Sequence, residues 1–245
     1  MPIILRSVPK EFVIFPFIDY SIGDYNDSEL IQERGCRYDS TLFETVIPTT
    51  NKKYLFSGYF GCYKYFEKYE KQIKHSFRFD TAIKKQIDSF YDEYTVVNSS
   101  IPNKRKLCGV HIRTADVRHE PNPLYAMPSA AFIKKAVELI QTKDSTIRFL
   151  VCSNDMEYCK ELFQSLFPID TIFFNKGKFE DFVMLSRCDH NILTPGSYGW
   201  WAAYLNENEN KTVIGIHPIF NLKREGFSET DDSDFYPKNW IVLEN

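Results

Sequence analysis

The sequence of 245 residues lacks any apolar run of the roughly 18 to 20 residues that a membrane-spanning helix requires. Its first residues, 1–6, are too short to form the apolar part of a signal peptide. It also lacks a basic excess, because 33 acidic residues outnumber 30 lysines and arginines and the net charge is −3. We therefore expect a soluble chain without general affinity for nucleic acid, which would hold any anionic ligand at a local site.

Sequence motifs of several other protein classes are absent. The six cysteines form no C-x-x-C pair, which argues against a zinc site. No G-x-G-x-x-G, Walker A or G-x-S-x-G segment is present. The acidic run at residues 231–234 lies among polar residues, which favours a solvated loop over a metal site. We interpret Cys108 and Cys152, which lie in apolar runs, as buried small hydrophobic residues. The sequence thus predicts no metal and no cofactor.

The sequence does contain a regular alternation of strand-like and helix-like segments after a polar break at residues 102–106. The pattern predicts strands over 107–112, 147–152, 171–174, 191–193 and 212–216, and helices over 129–141, 156–167, 179–187 and 198–206. Such alternation is typical of an α/β domain with a doubly wound parallel sheet, here over 104–245. Residues 1–103 are less regular and would form a separate partial lobe, with helices near 63–77 and 81–94.

Candidate ligand-binding residues follow the predicted strands, because parallel sheets bind ligands at the carboxyl ends of their strands. The first strand ends in a segment that contains His111, Arg113 and Asp116. An arginine offers paired, planar donors to a phosphate group. The alternative is an exposed ion pair between Arg113 and Asp116, which would stabilise the fold by less than about 1 kcal/mol.

Later strand ends supply further candidates. Asp155 could cap the next helix or reach a ligand. Asp181 lies in a first helical turn, where the helix dipole favours an acid, and it could also accept hydrogen bonds from a base or a ribose. Thr194 and Ser197 belong to a turn that leads into a helix, whose first N–H groups suit an anion.

Five segments, in this order and with compatible spacing, resemble motifs of the α-1,2-fucosyltransferases, glycosyltransferase family 11. Residues 111–116 are similar to an H-x-R-R-x-D motif that this family shares with α-1,6- and protein O-fucosyltransferases. The other four resemble D-x-x-x-M/L-S-x-C/A-D-H at 181–190, S-T-F-S/G-W-W-A-A-x-L at 197–205, G-Y-F-Q-S-x-K-Y-F at 58–66 and D-x-Y/F-P-x-x-W at 235–241.

Two departures from the family pattern are visible. Thr114 stands where the family has a second arginine, and the family's glycine-rich G-G-L-G-N-Q segment has no counterpart. The membrane anchor of animal members is also missing. We therefore expect a divergent or N-terminally truncated member of a family that works in the Golgi membrane or lumen.

The resemblance implies a GT-B-like fold with a Rossmann-type C-terminal domain and an incomplete N-terminal lobe. It also implies an inverting, metal-independent transfer of L-fucose from GDP-fucose to a galactoside hydroxyl in α-1,2 linkage. Arg113 would hold the diphosphate, and Asp116, or else Glu120, would accept the acceptor's proton. An alternative role for Asp116 is to structure its loop. Donor binding would fall to six residues: His111, Arg113, Asp155, Asp181, Thr194 and Ser197.

Two other interpretations of the sequence stay open. The chain could be a non-catalytic relative that binds a GDP-sugar or a glycan, which Thr114 and the missing glycine motif favour. It could also be an inactive truncated form. The sequence specifies a galactose-containing glycan as acceptor only through the resemblance, and it does not set the oligomeric state.

Overall fold

The computed structural model describes residues 3–5, 20–22, 28–33, 37–42, 53–58, 60–96, 105–166, 170–228 and 230–245. The chain divides into two compact units, one formed by Met1–Asp80 with Thr230–Pro237 and the other by Thr81–Glu229 with Lys238–Asn245. Most of the predicted break at 102–106 lies outside the described residues, so the predicted division into 1–103 and 104–245 stays a prediction.

The described residues of the smaller unit form short parallel strand pairs and one α-helix. Strands β1 (Ile3–Leu5) and β2 (Tyr20–Ile22) pair with each other, as do β3 (Ser28–Gln32) and β4 (Lys53–Ser57). Two 3₁₀ turns, Tyr63–Tyr65 and Glu67–Tyr69, precede helix α1 (Glu70–Ser76). The helix predicted over 63–77 is therefore wrong in its first half.

The larger unit contains the alternating elements that the sequence predicts. Its members, in chain order, are α2 (Thr81–Thr95), β5 (Leu107–Ile112), α3 (Ala115–His119), α4 (Ala130–Lys143), β6 (Arg148–Ser153), α5 (Met156–Leu166), β7 (Thr171–Phe173), α6 (Lys178–Arg187), β8 (His190–Leu193), α7 (Ser197–Leu205), β9 (Val213–His217) and β10 (Ile241–Glu244). The five predicted strands are confirmed to within one or two residues, while the short helix α3 and the strand β10 were not predicted.

Six strands of this unit form one parallel sheet in the order β7-β6-β5-β8-β9-β10. The chain builds outward from β5 to β7, returns to the other side of β5 and then builds outward to β10. This doubly wound order confirms the predicted α/β class and Rossmann-type sheet. Its direction reverses between β5 and β8, and the carboxyl ends of these two strands mark the switch point at which such sheets bind ligands. We call this region the crevice.

The core lies on both faces of the sheet, so every residue of the central strand β5 is buried. On one face, α4 buries Phe132, Ile133 and Ile140 against the sheet, and the predicted N-cap Ser129 accepts a hydrogen bond from the Phe132 N–H at 3.0 Å. Each such large side chain stabilises the fold by about 1.5–3 kcal/mol when it leaves water. Cys108 and Cys152 are buried, as predicted.

Asp189 links helix α2 to the amino end of the central strand β5. Its carboxylate accepts hydrogen bonds from the Tyr91 hydroxyl at 2.7 Å and from the Leu107 N–H at 2.9 Å. The Arg187 guanidinium lies 3.9 Å from the centre of the Tyr91 ring.

Among the helices in the described part of the chain, none is both long and apolar enough to cross a bilayer.

Candidate functional site

The loops after β5 and β8 are joined at the crevice by backbone and side-chain hydrogen bonds. The Thr194 N–H donates to the His111 carbonyl at 3.1 Å, which extends the strand ladder by one residue. In return, the Arg113 N–H donates to the Thr194 hydroxyl at 2.8 Å. Thr194 is almost fully buried, so this threonine fixes the start of the Arg113 loop rather than presenting its hydroxyl to solvent.

The Arg113 side chain is held on its edge and on its face. Its guanidinium bonds Asp116 through Nε at 2.9 Å and Nη2 at 2.5 Å, and its central carbon lies 4.7 Å from the centre of the Tyr125 ring. The ion pair raises the pKa of Arg113 and lowers the pKa of Asp116. The predicted ion pair is therefore present, at a position only about one third exposed.

Asn154, at the end of β6, holds the backbone of the same loop. Its amide oxygen accepts hydrogen bonds from the N–H groups of Thr114 at 3.0 Å and Ala115 at 3.3 Å. Its amide nitrogen donates to Asp116 at 3.3 Å. Thr114, which replaces the family's second arginine, is fully buried, and its hydroxyl has no hydrogen-bond partner within the described residues. Arg113 is therefore the guanidinium that this motif contributes to the crevice.

His111 is buried beside the start of α7. Its ring centre lies 5.1 Å from that of Tyr198, and a Cβ on Gly199 would come within 2.6 Å of its Nδ1. That Nδ1 atom has no hydrogen-bond partner in the described part of the chain. Burial, with a smaller contribution from Arg113, lowers the pKa of His111 to about 4. The imidazole is therefore neutral near pH 7 and can act as a hydrogen-bonding group or a packing surface, but not as a cation.

Helix α7 begins directly beside Arg113. Its N-cap is Gly196, whose φ of +123° disfavours any residue with a side chain, and no side chain caps the helix. A Cβ at this position would lie 3.2 Å from the Arg113 Nη1 atom. Ser197, the first helical residue, is exposed. An uncapped helix N-terminus beside a guanidinium is a suitable environment for a phosphate group.

The start of α6 is connected to the start of α7 through Tyr198. The Tyr198 hydroxyl donates to the Lys178 carbonyl at 2.5 Å, and its ring packs edge-on against Phe182. Asp181 is buried next to this contact and accepts a hydrogen bond from the Lys176 N–H at 2.9 Å. Burial raises the pKa of Asp181. Asp181 lies in the first turn of α6, as predicted, and it also closes the loop after β7.

Both carboxylate oxygens of Asp155 accept hydrogen bonds that build the fold. One carboxylate oxygen accepts from the Tyr158 N–H at 3.3 Å, which confirms the predicted cap of α5. The other oxygen accepts from Arg118 at 2.5 Å. Asp155 thus performs the capping role that its sequence context favours, and its proposed contact with a donor has no support from this geometry.

No group of three or more metal-ligating side chains occurs among the residues that the structure describes. The predicted acidic loop at 231–234 contains an ion pair instead, between Lys64 and Asp234. Both residues belong to the smaller unit.

Comparison with known proteins identifies the family. The profile of glycosyl transferase family 11 matches residues 47–244 of the sequence. The chain belongs to glycosyl transferase family 11. Galactoside alpha-(1,2)-fucosyltransferase 1 of Leontocebus fuscicollis is 28% identical over 161 residues, which cover 61% of this chain and 42% of the relative. The Homo sapiens protein of the same name is 27% identical with the same coverage. The chain therefore spans less than half the length of these curated relatives.

Solved fucosyltransferase structures resemble parts of this family 11 chain. Fucosyltransferase NodZ from Bradyrhizobium matches with a TM-score of 0.43 and 18% identity, over 66% of this chain and 55% of NodZ. A mutant form of Arabidopsis thaliana FUT1 in complex with GDP matches with a TM-score of 0.44 and 13% identity, over 85% of this chain and 53% of that chain.

The structure brings most of the predicted donor residues of this family 11 member to one edge of the sheet. His111 lies near the end of β5, Arg113 and Asp116 follow that strand, and Thr194 and Ser197 follow β8. Asp181 lies in the first turn of α6, whose Lys178 and Phe182 contact Tyr198, whereas Asp155 caps α5. The sequence analysis missed Tyr125 and Tyr198 as neighbours of the site. Tyr198 lies inside a segment that resembles a family motif, but no local pattern marks Tyr125.

Proposed function

We propose that this chain is the donor-binding part of a fucosyltransferase that moves L-fucose from GDP-fucose to a galactoside hydroxyl in α-1,2 linkage. The observation that carries the proposal is the position of Arg113, whose guanidinium is fixed beside the uncapped start of α7 at the sheet's switch point. The names of the curated relatives suggest the galactoside acceptor and the linkage. The expected two-lobed GT-B arrangement and a Golgi location are part of the same proposal.

In the proposed reaction, the acceptor oxygen forms a bond to the fucose anomeric carbon as the bond from that carbon to the β-phosphate oxygen breaks. Attack from the face opposite to the leaving GDP inverts the anomeric centre. Negative charge grows on the departing diphosphate, where Arg113 and the first N–H groups of α7 would stabilise it. A fixed guanidinium carries the positive charge that stabilises this negative charge, so we propose that no metal ion is required.

Asp116 fits a positioning role better than the predicted role of general base. Its carboxylate bonds two nitrogens of Arg113, and this ion pair lowers its pKa, which makes it a weaker proton acceptor. Glu120, at the end of α3, is exposed and is the remaining predicted base. We propose that Asp116 orients Arg113 and that Glu120 or a water takes the acceptor's proton.

Incubation of the purified chain with GDP-fucose and phenyl β-galactoside tests this proposal. We expect a fucosylated product whose α-1,2 linkage is read by NMR, formed equally in EDTA and in Mg²⁺. Formation of a different linkage, or strict dependence on a divalent cation, would contradict the proposed reaction.

A non-catalytic role is the second candidate, favoured by the buried Thr114 in place of a second arginine. It predicts that the chain binds GDP-fucose without turnover, so that the bound sugar is recovered intact after prolonged incubation with the galactoside. Transfer in the same incubation excludes this candidate.

A further inference from the structure

Tyr125 contacts Arg113 but belongs to a different part of the chain from the loops that form the rest of the crevice. It lies in the segment between α3 and α4, twelve residues beyond Arg113. Its ring lies 4.7 Å from the guanidinium carbon, a distance at which a cation is attracted to an aromatic face. Asp116 meets the edge of the same guanidinium, so the two residues restrain Arg113 in different directions.

The segment that carries Tyr125 is fastened to the long connection between β9 and β10. Tyr125 and Phe220 form an antiparallel bridge, and their rings stack at 5.9 Å with an interplanar angle of 18°. The Ala126 N–H donates to the Ile219 carbonyl at 2.9 Å, and the Asn221 N–H donates to the Leu124 carbonyl at 2.9 Å. Tyr125 therefore lies in the middle of a short antiparallel backbone pairing between residues 124–126 and 219–221, which we call the zipper.

Side chains reinforce this zipper at its outer end. The Asn221 amide donates to the Pro123 carbonyl at 3.2 Å, and Arg224 donates to the Asn122 carbonyl at 2.9 Å. Phe227 packs on Phe220 at 5.6 Å. Phe220 is almost fully buried, so the connection that supports Tyr125 is anchored in the larger unit. The zipper gives Tyr125 a fixed position in a segment that has no helix or strand of its own.

We infer that Tyr125 is a positioning residue that holds the Arg113 guanidinium in the orientation needed for the diphosphate. The inference rests on the proposed function, in which Arg113 binds that group. An arginine already held on its edge and face loses little rotational freedom on binding, and this preorganisation increases affinity. The segments 122–126 and 219–224 together form the support for the donor site.

Calorimetric titration of GDP and of guanosine into two variants tests this role. We expect Tyr125→Leu to weaken GDP binding about tenfold, the order expected when one arginine must be immobilised on binding, while guanosine binding changes by less than about twofold. Tyr125→Phe keeps the ring but removes the hydroxyl, whose hydrogen bond with Arg113 also raises the pKa of that arginine, so it should lose less GDP affinity than Tyr125→Leu. Tyr158→Leu is the matched control, because Tyr158 lies 4.5 Å from Arg118 and not beside Arg113.

Equal losses for GDP and guanosine in Tyr125→Leu would indicate a general structural role and overturn the inference, as would unchanged GDP affinity. A ligand-free measurement separates the inference from the proposed function. In wild-type protein, NMR should show the Arg113 Nε–H signal, assigned by its loss in Arg113→Lys, shifted by the Tyr125 ring. If GDP does not bind but this shift is present, the proposed function fails and the positioning contact stands. If the Arg113 Nε–H signal of the wild-type protein is not shifted, the contact between Tyr125 and Arg113 is absent and the inference is overturned. This measurement uses the wild-type protein, so it remains decisive if Tyr125→Leu does not fold.

Discussion

The two ends of the parallel sheet use the same pair of residue types in different ways. At the amino ends of the strands, Arg105 and Arg148 share the carboxylate of Asp170, at 2.6 and 2.9 Å. One further donor of each arginine bonds a backbone carbonyl: Arg105 Nε bonds that of Thr146 at 2.5 Å, and Arg148 Nη1 bonds that of Tyr94 at 2.6 Å. The buried Arg148 Nε has no hydrogen-bond partner among the described residues. At the carboxyl ends, Arg113 bonds Asp116 and an aromatic face, and its Nη1 side meets Gly196.

This difference separates an arginine that builds the fold from one that can bind a ligand. Backbone carbonyls that end helices or precede strands need donors, and the arginines at the amino end satisfy them. At the carboxyl end, the start of α7 has no side-chain cap among the described residues, so its first N–H groups can donate to a bound anion. The same Arg–Asp pairing therefore predicts stability at one end and anion binding at the other.

The largest expected effect is on turnover in Arg113→Ala. Removing one preorganised donor to developing negative charge lowers a rate by about 100- to 1000-fold. We expect transfer to fall by this amount while the circular dichroism spectrum is unchanged. Arg118→Ala is the matched control, since Arg118 pairs with Asp155 on the neighbouring loop and should leave transfer within a few-fold. Full activity in Arg113→Ala, with wild-type GDP affinity, would show that Arg113 does not bind the diphosphate.

Gly196→Ala should impair both stability and donor binding. A residue forced into this backbone region costs about 1–3 kcal/mol, and its Cβ would push on Arg113. We expect GDP affinity, measured by calorimetry, to fall at least about tenfold, since 1.4 kcal/mol corresponds to that factor. Gly226→Ala shares a positive φ but has open space around its Cβ, so it should lower stability without changing GDP affinity. Equal GDP affinities in the two variants would show that Arg113 tolerates the added methyl group.

Arg148→Ala tests the opposite end of the sheet. It removes a donor from the Tyr94 carbonyl and a partner from Asp170, so we expect the free energy of unfolding to fall by about 1–3 kcal/mol. GDP affinity should stay within about twofold at temperatures where the variant is folded. Chemical denaturation and calorimetry on one preparation measure both quantities. A selective loss of GDP affinity would contradict the division between the two ends.

The smallest expected effect near neutral pH is that of His111 on stability, and it grows as the pH falls. Burial lowers the pKa of His111 to about 4 from its ordinary 6.5, so between these values the unfolded chain binds a proton that the native chain does not. Stability should therefore fall as pH drops from about 6.5 to 4, and less steeply in His111→Asn. His190, whose pKa burial also lowers, gives the comparison at the amino end. We expect His111→Asn to change GDP affinity and His190→Asn to leave it unchanged. If stability depends on pH in the same way in the wild type and in His111→Asn, His111 is not a buried neutral imidazole.

Local sequence patterns were sufficient for the elements of the larger unit. The β-branched and aromatic run at 147–152 and the helical spacing of Phe132, Ala136 and Ile140 predict β6 and α4 because burial imposes those periods. The predicted cap Ser129 and the capping role of Asp155 are also local, and both are confirmed. Strand β10 was missed because it is a four-residue edge strand with half of its residues exposed.

The arrangement of the site depends on contacts that local patterns do not encode. Tyr125 and Phe220 are separated by 95 positions in the sequence. The stacking of their rings, and with it the position of Tyr125 against Arg113, follows from the pairing of two irregular loops. The ion pair that turns Asp116 toward Arg113 also depends on Asn154, which arrives from β6. The motif could therefore suggest which residues belong to the crevice, while their separate roles required the neighbouring strands and loops.

Calorimetric titration of GDP into the purified chain, first in EDTA and then in Mg²⁺, tests the central claim most directly. Our account predicts saturable binding that is unchanged by Mg²⁺ and is lost in Arg113→Ala but retained in Arg148→Ala. Absence of binding by a well-folded wild-type chain, or equal loss in both variants, would contradict a diphosphate site at the carboxyl ends of β5 and β8.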